Sequence, residues 1–228
     1  MLLKGLDKGL EIQRPAVLAH IERSRRSRPT AGPAEVLRSL EKQYLASVAT
    51  LGAAGGATAI VPGEGQVVGL AVNVLEVPAF IEASVLFAVA CAEVHGVDLM
   101  DLERRRTLAL AILLGNSGAS VVEKAAGRTA RHWGKAIVSS IPMSQIRAVN
   151  KVLGHNFVTK YGTKQGILVL GRDLPVGLGV LIGAGGNYAL GYASVRAARR
   201  AFGPPPKGWL RPVGDEPPEL EAQTWASS

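Results

Sequence analysis

Residues 45–96 read LASVATLGAAGGATAIVPGEGQVVGLAVNVLEVPAFIEASVLFAVACAEVHG, a long apolar stretch with a Pro62-Gly63 break inside it. In its first arm Val48, Gly52 and Gly56, and likewise Ala49, Ala53 and Ala57, recur at four-residue spacing. That spacing stacks small residues on adjacent faces of one helix and lets another backbone come close. Each glycine costs about 0.5–1 kcal/mol against alanine inside a helix, so the cluster from Gly52 to Gly63 needs a packing reason or marks a turn. The second arm, about 65–94, is long for one helix, and Pro78 removes a backbone donor near its middle, which predicts a kink or break there. The stretch reads as a glycine-rich helical hairpin and sets the fold class as all-α.

A second stretch of the same kind spans 162–202, GTKQGILVLGRDLPVGLGVLIGAGGNYALGYASVRAARRAF. Leu174 to Val195 carries no charge over 22 residues, the length that crosses a bilayer core of about 30 Å. Six glycines, Asn187 and two tyrosines dilute its hydrophobicity, and the composition argues against a span. Gly179, Gly183, Asn187 and Gly191 lie four apart, a flat face that matches Gly52 and Gly56. The two hairpins are therefore expected to pack on each other.

Working outward, Leu2, Leu3, Leu6 and Leu10 form a short amphipathic pattern stopped by Pro15, and Val17, Leu18 and Ile21 point a second helix inward. The basic run ERSRRSRPTAGP closes it and reads as a solvated loop. A helix from Pro33 sets Val36, Leu37, Leu40, Tyr44 and Leu45 on one stripe. Gly96 ends the first hairpin, and Asp98 or Asp101 caps a helix over 102–114 that turns from charged to wholly apolar. GNSG at 115–118 resembles a serine-hydrolase elbow only superficially, since that elbow follows a strand and this one follows a helix. An amphipathic helix through Trp133, a break at Pro142 and a Ser144-capped helix ending at Gly154 complete the order. The divisions are 1–32 (amphipathic helices and basic loop), 33–203 (the helical domain) and 204–228, a proline-rich acidic tail expected to be disordered.

Aromatics are only 5% of the 228 residues, so Ala, Val, Leu and Gly must build the core, and such a core favours close helix contacts. The formal charge is +8, and the acidic tail leaves +10 on residues 1–203, an excess suited to an anionic membrane or nucleic acid. Nucleic acid is the weaker partner, because no recognition helix or aromatic stacking pattern accompanies the charge. Arg104, Arg105 and Arg106, and Arg196, Arg199 and Arg200, stand at ends of apolar helices and suit a membrane-facing basic rim or, for the second group, simply the helix C-terminal dipole. Glu82 and Glu93 share one side of a continuous helix with Glu64, while Glu76 lies elsewhere, near Asn73. Asn73, Glu76, Glu82, Glu93, Arg172 and Asn187 form a candidate polar or ion-pair site, read either as an acidic site for a cation or polar head group or, more plainly, as an exposed edge with ion pairs to Arg172, Lys160 or Arg196.

His20, His95, His132 and His155 are scattered, and no Walker or dinucleotide fingerprint occurs, so neither metal nor cofactor is expected. Cys91, alone and in an apolar run, reads as a buried small hydrophobe in a reducing compartment. The N-terminus is interrupted by Lys4, Asp7, Lys8 and Glu11 and lacks the core of a secretory signal, which predicts a cytoplasmic protein.

The order of LGAAGGATAIVPGEG, FIEASVLFAVACAEVHG, DLERRRTLALAILLGNSG, VTKYGTKQG and GRDLPVGLGVLIGAGGNYALG resembles that of the EcsC family of bacterial proteins, over about residues 34–202. The family takes its name from a gene beside an ABC-type transporter. The resemblance implies membrane association through apolar segments and brings no established catalytic residues. Glu64 in the PGEG turn departs from the small or apolar residue that deep insertion would favour. The expected function is non-enzymatic: peripheral association with the inner face of the cell membrane, through anionic lipid or a membrane protein complex, in support of a transporter or secretion system. The alternative is a soluble helical enzyme or carrier with an internal apolar pocket for a lipid-like ligand.

Overall fold

A computed structural model describes residues 10, 17–23, 25–57, 65–97, 101–127, 132–170 and 178–210; side chains are described for the same residues except 55–77 and 161–184. All regular structure among them is helical. After helical residues 17–23 and 25–27 come seven helices: α1 (Pro33–Ala57), α2 (Gly65–Val94), α3 (Leu102–Leu114), α4 (Asn116–Ala126), α5 (Trp133–Ser139), α6 (Met143–Leu170) and α7 (Leu178–Phe202).

The centre is α3. Asp101 caps it by accepting a hydrogen bond from Arg104 N at 3.0 Å, and Glu103 follows in the first turn. Everything from Thr107 to Leu114 is then buried. A helix apolar on all sides must be enclosed, and α3 touches α2, α4, α5, α6 and α7. The GNSG motif is its break: Gly115 adopts φ 67 and ends α3, and α4 starts at the next residue. The return is tight because Gly118 lies against the α3 backbone, where a Cβ would come 2.5 Å from Ala111 O.

Around α3, α1 begins with Pro33 at its first position and buries Val36, Leu37, Leu40, Tyr44 and Val48, the expected stripe, with Leu45 half-buried. Its most extensive partner is α7, at the other end of the chain. The two run antiparallel, since Glu41 meets Arg199 while Val48 meets Gly191. Gly191 supplies the close approach: a Cβ there would sit 2.7 Å from Val48 Cγ2 and 3.3 Å from Leu45 Cδ2. The expected contact between the two glycine-rich stretches is thus made at Gly191, and Gly52 is buried. The side chains of Gly56, Gly179 and Gly183 lie outside the described residues. Tyr44 ties α1 to α2, stacking on Phe87 at 4.5 Å and hydrogen bonding Ser84 at 2.7 Å.

Several boundaries differ from the sequence reading. No break occurs at Pro78; α2 runs through it. The proline sits at an exposed position, and the buried Phe80 and Ile81 that follow it anchor the helix on the core through this point. Helix α6 continues past Gly154, because Leu153 and Phe157, four apart and fully buried, outweigh a glycine cost of about 1 kcal/mol. Ser144 lies inside the first turn of α6 rather than capping it, and Pro142 O accepts from Ile146 N. Trp133 begins α5 rather than continuing α4, which stops at Gly127 with φ 81.

The tail is ordered further than its composition implies. Gly203 (φ 75) ends α7, and the chain then folds back so that Trp209 Nε1 donates to Ala31 O at 3.2 Å and the Arg25 guanidinium lies 4.2 Å from the Trp209 ring centroid. Leu210 packs on Gly96. Residues 204–210 thus lie along the helices, and residues 211–228 lie outside the described residues. Composition alone does not show this, because the partners of Trp209, Ala31 and Arg25, come from a distant segment.

Candidate functional site

Of the six residues of the sequence-level polar site, Glu82, Glu93 and Asn187 have described side chains. Glu82 is exposed and forms no ion pair among the described residues, and Glu93 and Asn187 are half-buried. Asn73, Glu76 and Arg172 lie outside the residues whose side chains are described. Lys160 donates to Leu113 O at 3.0 Å, closing the carbonyl end of α3.

The two arginine clusters have opposite fates. Arg104 donates to Ile137 O, and buried Arg105 donates to Leu10 O at 2.5 Å. Arg106 is half-buried. Arg104 and Arg105 thus tie α3 to α5 and to residue 10 instead of presenting a basic rim. Arg196, Arg199 and Arg200 are exposed, with Arg200 donating to Asn116 Oδ1.

On α7 the turns before these arginines expose Gly185, Gly186, Tyr188, Ala189, Tyr192 and Ala193. Tyr188 and Tyr192 remain 47% and 45% exposed and stack at 6.5 Å, one turn apart. Ala189, Tyr192, Ala193, Arg196 and Arg200 fall at spacings of three and four, so one helix face passes from small and aromatic to basic. Arg38 and Lys42 on α1 are exposed, and the antiparallel register sets them at the same end as Arg196 to Arg200.

At that end a cleft of about 500 Å³ opens between α1, α7 and the segment that follows, lined by Ala34, Leu37, Arg38, Glu41, Arg199, Gly203, Pro204 and Pro205. Its floor is an ion pair that sequence reading missed. Arg199 Nε and Nη2 donate to Glu41 Oε1 and Oε2 at 2.7 and 2.6 Å, with the Glu41 side chain 8% exposed and that of Arg199 57%. The Glu41 carboxylate raises the guanidinium pKa of Arg199 above its usual value. The available signal was Glu41 beside Leu40 and four residues after Leu37 on the inward stripe, since a buried acid requires a partner.

Behind the floor, burial pushes the Cys91 thiol well up, reinforced by the charge of Glu41, so it stays protonated and unreactive. His95 stacks on Phe202 at 4.9 Å, and its Nδ1–H donates to Cys91 O at 2.7 Å. Burial lowers its pKa and keeps the ring neutral. No group of three or more His, Cys, Asp or Glu able to hold a metal occurs among the described residues. No helix among them is long and apolar enough to cross a membrane. Comparison with protein-family models, with curated proteins and with solved structures gives no match.

Proposed function

We propose that this protein is a non-enzymatic, EcsC-like helical protein that lies peripherally on an anionic membrane surface, with the α1–α7 pair as its contact. The observation that carries this is the exposed face of α7, where Tyr188 and Tyr192 precede Arg196 and Arg200. Tyrosines suit the headgroup level, where one end of the ring is apolar and the other wet, and arginine stems can lie along apolar surface while their heads reach phosphate. Arg38, Lys42, Arg196 and Arg200 at about 1 kcal/mol each supply about 4 kcal/mol near an anionic leaflet, a millimolar affinity without help. The tyrosines or a membrane protein partner must add to it, which fits an accessory to a transporter or secretion system. Attachment of this strength is reversible and salt-sensitive.

Flotation of the protein with phosphatidylserine-containing and with purely phosphatidylcholine vesicles tests the reading. Binding to the anionic vesicles alone, reduced by salt and by Tyr188→Ser with Tyr192→Ser, is the expected result. No flotation on anionic vesicles at low salt would sink it. The second reading, a carrier, draws support only from the cleft, whose floor is charged rather than apolar.

A further inference from the structure

The geometry points to the cleft between α1, α7 and Pro204-Pro205 as a binding site for a small monocarboxylate with a short apolar stem, one that shares Arg38 with the proposed membrane face but does not use Tyr188 or Tyr192. The argument starts from charge. Three ionic side chains line the cleft, Arg38, Arg199 and Glu41, and together they carry a net charge of +1. One anionic charge balances them; a dianion would not be matched.

Glu41 fixes the geometry. By taking Nε and Nη2 of Arg199 it holds the guanidinium in one orientation and leaves Nη1 as the donor not used in the pair. Arg38, one turn before Glu41 on α1, lines the same cleft and forms no ion pair or hydrogen bond among the described residues. A carboxylate has two oxygens in a plane, the shape that a guanidinium fork recognises, and Arg38 has that fork unengaged. The rest of the lining is Ala34, Leu37, Gly203, Pro204 and Pro205, an apolar wall for a hydrocarbon stem. A volume of about 500 Å³ lies in the range of small-molecule sites and limits the stem to a short one. Pre-positioning by Glu41 also removes part of the ordering cost that a free arginine would pay on binding.

Isothermal titration of the full chain with hexanoate, with hexanol and with inorganic phosphate tests this. Hexanoate is expected to bind, hexanol not, and Arg38→Gln to weaken hexanoate by about tenfold or more, the loss of one charge-assisted pair. Arg38 is exposed, so the variant should melt with the parent protein. Ala34→Phe, at an exposed lining position, should fill the cleft and weaken hexanoate while Arg38 remains. Equal binding of hexanol and hexanoate, phosphate binding without hexanoate binding, or hexanoate binding unchanged by both substitutions would each overturn the assignment. Hexanoate binding that persists in Tyr188→Ser/Tyr192→Ser protein is expected, because the cleft does not use those rings.

Discussion

Glu41 and Arg199, 158 residues apart in sequence, are joined by two parallel hydrogen bonds that close the first and last labelled helices on each other. The carboxylate is buried and the guanidinium half in solvent, so the pair is asymmetric. Removing the buried partner and removing the exposed one are different experiments.

Arg199→Ala leaves the Glu41 carboxylate buried and uncompensated. Stranding a buried charge costs about 3–5 kcal/mol, and solvent access through the cleft brings the expected loss to about 2–3 kcal/mol. Urea unfolding measures it. Glu41→Leu combined with Arg199→Leu should recover most of the stability, since an apolar pair of similar size carries no desolvation cost.

Gly118→Ala should destabilise more than its one added methyl suggests. The new carbon would meet Ala111 backbone, which cannot rotate away as a side chain can. Gly191→Leu should force α1 and α7 apart at Val48 and Leu45. Overpacking of this kind costs about 1–3 kcal/mol, read as a lowered Tm. Gly185→Ala serves as the control, because nothing lies within 4 Å of its added carbon, and it should leave Tm equal or higher.

Truncation after Gly203 should lower stability by about 1–3 kcal/mol through loss of the half-buried Trp209 and its arginine contact. Truncation after Leu210 should change it little by comparison. Equal melting of the two shortened chains would mean that the Trp209 docking contributes nothing.

Acid should expose the His95 linkage. Its folded pKa lies below the unfolded value of about 6.5, so between the two the unfolded chain binds a proton that the native chain does not. Its contribution is complete above about pH 6.5 and is lost as pH falls toward the lowered folded value. His95→Gln, which can still donate to Cys91 O, should flatten that part of the stability profile while leaving the slope due to carboxylates at lower pH.

Much of this fold was legible because local rules and packing agree. Asp101 before LERRR, the wholly apolar run to Leu114 and Gly115 after it define α3 from propensity and capping alone. Gly96 closes α2 with a Schellman motif, Gly96 N to Glu93 O and Val97 N to Ala92 O, as a glycine after an apolar run suggests. Reading failed where a distant partner overrides a local signal. Gly154 looks like a terminus until Leu153 and Phe157 are buried, and the arginines of α3 look like a surface cluster until α5 and residue 10 cover them. The cleft was invisible for the same reason: Arg38, Glu41, Arg199 and Pro204 are ordinary residues that only the α1–α7 register brings together.

That register also sets a schedule. The face of α1 that carries Leu37, Leu40, Tyr44 and Val48 finds its main cover in a helix finished at Phe202, so during synthesis it must wait for nearly the whole chain. At about 5–20 residues per second the delay is on the order of ten seconds. Through that interval α2, which Tyr44 meets at Phe87 and Ser84, is the neighbour already made, and the contact with α7 that completes the cover has high contact order and forms slowly. The Glu41–Arg199 pair, made by residues 158 apart, is therefore among the final bonds to close.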